Sequence, residues 1–236
     1  MELPPVVARM WGREPAPRRG PRPRLDLARI VAAGIELADA EGLAGVSMAT
    51  VAARVGVAPM ALYRYVGSKD ELLTAMADAA APDPPERDGL PWRDYLARWT
   101  RANRDFLLAR PWLLELGWSA PPAGPRALLW LDRALAALDG AGLDAGERVR
   151  AATALSGYAV SDATLTYRMR GTESGAEEYG EMLGHLLDPA AYPALSAAVR
   201  QGAFRGARGW TDDGDFTFGL NLLLDGIEAL IARRAR

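Results

Sequence analysis

Between Asp26 and Ala80 the chain is written as short apolar-periodic runs, each opened by a capping residue or a proline. Glycines close the first three. That punctuation leaves room for little besides small helices joined by tight turns. Leu27, Ile30, Val31, Gly34, Ile35 and Ala38 recur at intervals of three and four behind Asp26, a good acceptor for the first N–H groups of a helix, and Gly42 ends the run. Ser47 opens a second helix with Met48, Val51, Ala52 and Val55 on one face, and Gly56 supplies the left-handed turn that stops it. Pro59 suits the first position of a third, barely two turns long, in which Leu62 and Val66 face inward before Gly67. Ser68-Lys69-Asp70-Glu71 has the form of a capping box, in which hydroxyl and carboxylate each meet a backbone N–H. It starts a fourth helix through Leu72, Leu73, Met76 and Ala80.

Ala81 to Gly89, reading APDPPERDG, breaks the pattern and marks a boundary. Beyond it the apolar residues keep a helical period, with no strand-like alternation. Helices are predicted near Trp92–Ala109, Pro111–Gly117, Pro125–Leu138, Ala145–Met169, Glu177–Leu187, Tyr192–Gln201 and Asp215–Arg234. Gly171–Gly175 and Gly202–Gly214 read as mobile loops. Residues 1–24 hold six arginines against Glu2 and Glu14, punctuated by prolines and without periodicity, which predicts a flexible arm. The expected organisation is all-α: the arm over 1–24, a three-helix helix-turn-helix domain over 25–80, and a larger helical bundle over 81–236.

The 236 residues include no Cys and one His, which removes disulfides, thiolate zinc sites, iron–sulfur clusters, Cys nucleophiles and multi-His metal sites. No Ser-His-Asp or phosphate-loop spacing takes their place, so no catalytic residue, metal or cofactor is expected. No apolar run reaches the roughly 18 residues that span a bilayer, and the N-terminus lacks a signal-peptide core, which predicts a cytoplasmic protein without membrane association. The net charge of -2 is unevenly laid out. Residues 1–69 contain ten basic and six acidic groups, and Gly42–Lys69 carries Arg54, Arg64 and Lys69 with no acid. A nucleic-acid duplex would repel the rest of the molecule and accept this segment. Two short helices joined by a Gly-containing turn form a helix-turn-helix, whose second helix fits a major groove about 12 Å wide. A three-helix packing motif with a polar face is the competing reading of the spacing alone.

The run from Gly45 to Leu73 goes further: it resembles the DNA-binding domain of the tetracycline-repressor (TetR) family, most specifically in Leu62-Tyr63-Arg64-Tyr65-Val66-Gly67-Ser68-Lys69-Asp70-Glu71-Leu72. The detailed likeness covers residues 25–80. Beyond them the helical layout, the chain length and Pro111-Trp112 are similar. The resemblance implies that Tyr63 and Tyr65 lie on the DNA side of the recognition helix and that Lys69 meets phosphate at the start of the next helix, where the N–H groups add a positive dipole end. Ser47 is placed at phosphate too, with capping alone as the competing role, and Thr50 is counted among the DNA-binding residues. Family members often carry Ser or Thr where this chain has Ala58 and Ala61, and a polar residue where it has Ala49. Readout then rests on apolar contact of Pro59, Met60 and Ala61 with thymine methyls and on Arg64 at a guanine edge or a phosphate. Arg19 and Arg22 in the arm are expected to enter the minor groove, with diffuse attraction by a disordered arm as the alternative.

All tryptophans but Trp11 fall in the larger part. Asn103 lies four after Trp99 and Phe106 three after Asn103, while Asp162 lies four after Tyr158. Aromatics with a few fixed polar groups are what a small-molecule cavity requires. The resemblance implies an effector bound between helices there, and Trp99, Asn103, Phe106, Trp130, Tyr158, Asp162 and His185 are assigned to it, with an apolar or aromatic ligand. For His185 a half-buried structural role competes. Ala79–Pro85 lacks the His of tetracycline-binding members, which argues against a magnesium–tetracycline ligand. Phe216, Leu220, Leu223, Leu224, Ile227, Leu230 and Ile231 face one way on the last helix, with Phe218 and Leu222 widening the arc. In the family such late helices form a four-helix dimer interface, so a homodimer on a palindromic double-stranded operator is expected. The function predicted is a ligand-responsive transcriptional regulator, a repressor. The rival is a helical small-molecule-binding or enzyme-like protein that does not bind DNA specifically.

Overall fold

A computed structural model of the chain describes residues 3–13, 25–117, 121–169, 175–204 and 213–235. Among them are twelve α-helices and no strand. The sequence expectation of a cap at each start holds at α2 (Leu27–Glu41), where the Asp26 carboxylate accepts the Arg29 N–H at 2.8 Å. At α3 (Met48–Val55) a full capping box forms with Thr50 as its second member: Ser47 Oγ accepts the Thr50 N–H at 3.1 Å and Thr50 Oγ1 accepts the Ser47 N–H at 2.9 Å. Gly56 then takes φ +75°, a backbone conformation that would strain any residue with a Cβ. Helix α4 (Pro59–Leu62) is a single turn, and α5 (Lys69–Ala80) follows. Its box differs from the expected one. Ser68 Oγ accepts the Glu71 N–H at 3.1 Å, but the Glu71 carboxylate reaches past Ser68 to the Gly67 N–H at 2.7 Å.

Ile30, Val51, Leu62, Val66, Leu72 and Met76 are fully buried between these helices and form the centre of the first core. That core does not stop at the sequence boundary. It continues into Leu107 at the end of α6 (Trp92–Ala109), Trp112 and Leu113 of α7 (Trp112–Glu115), and Ala163 of α9 (Ala145–Met169). A second core gathers Tyr95, Leu96, Trp99, Trp130, Leu138, Leu155, Phe216 and Leu224, from α6, α8 (Pro125–Ala137) and its following turn, α9 and α12 (Asp213–Arg234). Helix α6 lies along α9 and takes part in both cores, so its two ends belong to different halves of the molecule. Helices α10 (Ala176–Leu186) and α11 (Pro193–Arg200) pair with each other. Every described helix of the bundle starts and ends within two residues of its expected position, and α7 is three residues shorter than Pro111–Gly117. Most of the two expected loops lies outside the described residues.

The flexible arm is corrected in its first part. Residues Pro5–Met10 form a helix, α1, with Pro5 at its first position and Val6 buried against α5. Proline is favoured at that position because its missing N–H has no intrahelical partner anyway. No described helix is long and apolar enough to cross a membrane.

Candidate nucleic-acid interface

The short α4 carries its residues outward because Leu62 and Val66 are pinned in the core behind it. Met60 is 74% exposed and Tyr63 46%, with Pro59 and Arg64 beside them and Lys69 exposed at the first position of α5. A methionine, a phenol and two cations projecting from one turn and the next helix start suit the methyl groups and phosphates of a major groove. Ser47 and Thr50 hold hydroxyls nearby, and Thr50 Oγ1 also donates to the Gly45 carbonyl at 2.8 Å, so both hydroxyls are tied into the start of α3. Arg54, one of the three cations of the acid-free run, is paired with Glu36 of α2 at 3.1 Å and is partly neutralised by it. Ala61 is half-buried against the first core, and its methyl packs inward instead of standing at the front of the recognition helix.

Tyr65 departs furthest from its expected role. Its hydroxyl donates to the Leu25 carbonyl at 2.8 Å, its backbone carbonyl accepts from the Arg9 guanidinium, and that guanidinium lies 6.0 Å from its ring. The side chain is half-buried and fixes the recognition segment to the start of α2. Arg19 and Arg22 lie outside the described residues.

The expected effector residues do not form one group. Trp99 and Trp130 do meet, their ring centroids 5.6 Å apart, yet both are structural staples: the Trp99 indole donates to the Trp130 carbonyl at 3.0 Å, and the Trp130 indole donates to the Pro82 carbonyl at 2.8 Å. Tyr158 and Asp162 come together around two residues that sequence reasoning did not place there, Arg104 and Phe216. Tyr158 stacks on Phe216 at 5.4 Å and donates to the Phe216 carbonyl at 3.0 Å; burial, then the nearby Asp162 charge, raises its hydroxyl pKa and keeps it a donor. Arg104 is 5% exposed, pairs through Nε with Asp162, reaches Asp213 at 3.2 Å, and covers the Phe216 ring at 4.7 Å. Its signal was positional, since it falls on the buried stripe of α6 with Leu96, Thr100 and Leu107, where a charged side chain must find a partner. Asn103 is half-buried on the same helix. Phe106 packs on the first core and not beside Trp99, and His185 is exposed on α10; neither joins the group. Among the described residues no cluster of acidic and His side chains could hold a metal.

Residues 30–76 match the family described as bacterial regulatory proteins, tetR family, and residues 81–231 match the family described as tetracyclin repressor-like, C-terminal domain. The HTH-type transcriptional repressor DrrR1 of Streptomyces coeruleorubidus is 35% identical over 236 residues, spanning 95% of this chain and 85% of that one. Apo ActR from Streptomyces coelicolor shares the fold with a TM-score of 0.76 at 24% identity, covering 90% of this chain and 99% of ActR. ActR in complex with actinorhodin gives a TM-score of 0.74 at 25% identity, covering 87% and 96%. The chain thus belongs to the tetracycline-repressor (TetR) family of DNA-binding transcriptional regulators.

Proposed function

We propose that this regulator is a cytoplasmic repressor that binds a palindromic operator as a homodimer and releases it when a small apolar or aromatic molecule occupies the larger domain. The observation that carries the DNA part is the outward face of Pro59, Met60, Tyr63 and Arg64 with Lys69 at the next helix start. With Ala at 49, 58 and 61, hydrogen-bonded base contacts are few, and phosphate contacts set most of the affinity. Arg19 and Arg22 add minor-groove contact. Since α1 is docked, the arm is tested by Arg19→Ala and Arg22→Ala and not by deletion.

An apolar groove between α9 and α12 is lined in part by Ala151, Ala154, Leu155, Leu223, Ile227 and the exposed Leu222, with the exposed Phe218 four residues before Leu222 on α12. Two copies joined by this face give the four-helix interface and set recognition helices about 34–36 Å apart on successive major grooves. The half-buried Tyr158 beside the Arg104–Asp162 pair supplies a ring and fixed polar groups for an effector, and the likeness to ActR, solved with actinorhodin, supports a small molecule bound in the larger domain. Effector binding favours a spacing of the recognition helices that no longer fits the duplex.

The test is titration of the dimer with the duplex found upstream of its own gene at several salt concentrations. Specific binding that weakens steeply with salt is expected, and the absence of any specific complex at low salt would overturn the reading. Leu222→Glu should yield a monomer by light scattering.

A further inference from the structure

Helix α1 touches both halves of the molecule. At its C-cap the Trp11 indole N–H donates to the Ala123 carbonyl at 2.8 Å, immediately before the start of α8. In its last turn the Arg9 guanidinium donates to the Tyr65 carbonyl, in the turn that follows the recognition helix, and lies over the Tyr65 ring. Val6 is buried where α1 packs on α5, and Met10 reaches Gly124, where a Cβ would collide with both the Met10 methyl and the Asp78 carboxylate. Asp78, from α5, accepts the Ala127 N–H at 2.9 Å and the Arg126 N–H at 3.4 Å, and so caps α8 from the side of the DNA-binding helices. The start of α8 is therefore gripped twice, by α5 and by α1, and both also hold the recognition segment, α5 through Glu71 on the Gly67 N–H and α1 through Arg9 on the Tyr65 carbonyl.

We propose that Trp11 and Arg9 are positioning residues for DNA recognition, joining the entry of α8 to the carbonyl of Tyr65 in series, so that the placement of the larger domain sets the placement of the recognition turn. Neither residue needs to touch DNA for this. Tyr65 transmits the constraint, because its hydroxyl is fixed to Leu25 at the start of α2 while its carbonyl is held by α1. With only one of these two contacts, the last turn of α1 would tie the recognition turn to nothing in the larger domain; with both, that short segment makes the turn follow α8. The proposal rests on the DNA-binding reading for its functional consequence but not for its structural test.

A series connection has a signature that two separate contacts lack. Breaking either end removes the whole restraint, so the double variant is no worse than the worse single one, whereas independent contacts multiply. The full-length dimer is compared with Trp11→Phe, which keeps an aromatic ring, though a smaller one, and removes the N–H, with Arg9→Ala, and with the double variant. Two readouts are used: affinity for the duplex upstream of the protein's own gene, and amide hydrogen exchange of Tyr65 and Val66 in the protein without DNA. Each single change should weaken duplex binding about three- to tenfold, the size of one lost hydrogen bond, and speed the exchange, with the double variant matching the worse single one in both. Single variants within twofold of the parent, or a double variant equal to the product of the two, would overturn the proposal. If the parent protein binds no duplex, the DNA-binding reading fails, and the exchange data still decide whether the two ends act in series.

Discussion

In the DNA-binding head, α2, α3 and α5 are each begun by a side chain three residues from the N–H it accepts: Asp26 to Arg29, Ser47 to Thr50, Ser68 to Glu71. In the bundle the main polar ties join positions far apart in the chain, Trp99 to Trp130, Arg104 to Asp162 and Arg93 to Asp225 and Glu228. The first kind of bond is a property of a four-residue stretch, and the second exists only once the helices have packed. The head should therefore lose stability in small separable steps, and the bundle in larger coupled ones.

The largest step is expected at Arg104. Its side chain is buried, and Arg104→Ala leaves the largely buried Asp162 carboxylate without its partner, an arrangement that destabilises by about 3–5 kcal/mol in comparable buried pairs. Urea denaturation of the dimer measures it. Arg104→Met with Asp162→Leu should recover most of that loss, because apolar side chains of similar volume need no partner. A double variant as unstable as Arg104→Ala would show that the ion pair is not what holds α6 to α9.

At the joint between the two regions, Asp78→Ala should cost about 1–2 kcal/mol, the upper part of the range for a helix cap, since the carboxylate is buried and two N–H groups of α8 depend on it. Thermal denaturation reads the loss directly. The fraying should appear as faster exchange at Arg126 and Ala127, with the amides of α3 unchanged. Faster exchange spread evenly over the molecule would mean that Asp78 supports the core as a whole and not the start of α8.

This contrast explains what was legible in the sequence. Caps and stops such as Asp26, Ser47, Gly56 and Ser68 are local signals, and the helices they delimit were found within a residue or two. The exposed Met60, Tyr63, Arg64 and Lys69 were legible for the same reason, since a segment opened at Pro59 with Leu62 and Val66 inward turns Met60, Tyr63 and Arg64 outward and the Ser68 cap puts Lys69 at the start of α5, although the helix itself is one turn and not the expected two. Helix α1 was missed because its prolines and arginines outweighed a Val6–Met10 pair spaced four apart behind Pro5. The effector residues were hardest. Periodicity places Trp99 on an inward face but says nothing of its neighbour, and the meeting of Tyr158 with Phe216 or of Arg104 with Asp162 depends on how α6, α9 and α12 cross.

Within the head, Ser47→Ala and Ser68→Ala should each destabilise by about 1 kcal/mol. The two caps share no partner, so their effects should add to within about 0.5 kcal/mol, measured by denaturation of the single and double variants. A large coupling energy would contradict the picture of local, separable elements. Duplex affinity should fall with Ser47→Ala by more than the stability loss predicts only if its hydroxyl also meets phosphate, which makes the same variant a test of its second role.

The mildest perturbation lies where the two kinds of bond coincide. At the start of α9, Asp144 accepts the Glu147 N–H at 2.8 Å and Glu147 accepts the Asp144 N–H at 3.0 Å, a local capping box; the same Glu147 carboxylate takes two hydrogen bonds from Arg234, at 2.7 and 3.2 Å, in the last turn of α12. The Glu147 N–H holds the Asp144 carboxyl below its ordinary pKa, and the Arg234 guanidinium does the same, first among several causes, for Glu147. A carboxyl whose pKa is lower in the folded state stabilises that state fully above its unfolded pKa of about 4, and the contribution disappears as pH falls through the lowered value. The melting temperature of the parent protein should therefore exceed that of Glu147→Gln by a constant amount at neutral pH, and the two should converge as the pH falls past the unfolded carboxyl value and through the lowered one. A gap that persists after the carboxyl is protonated would mean that Glu147 acts through hydrogen-bond geometry that the amide does not reproduce and not through its charge. Convergence would place an acid-sensitive bond at the start of α9, a bundle helix end that shares the local capping logic of the head.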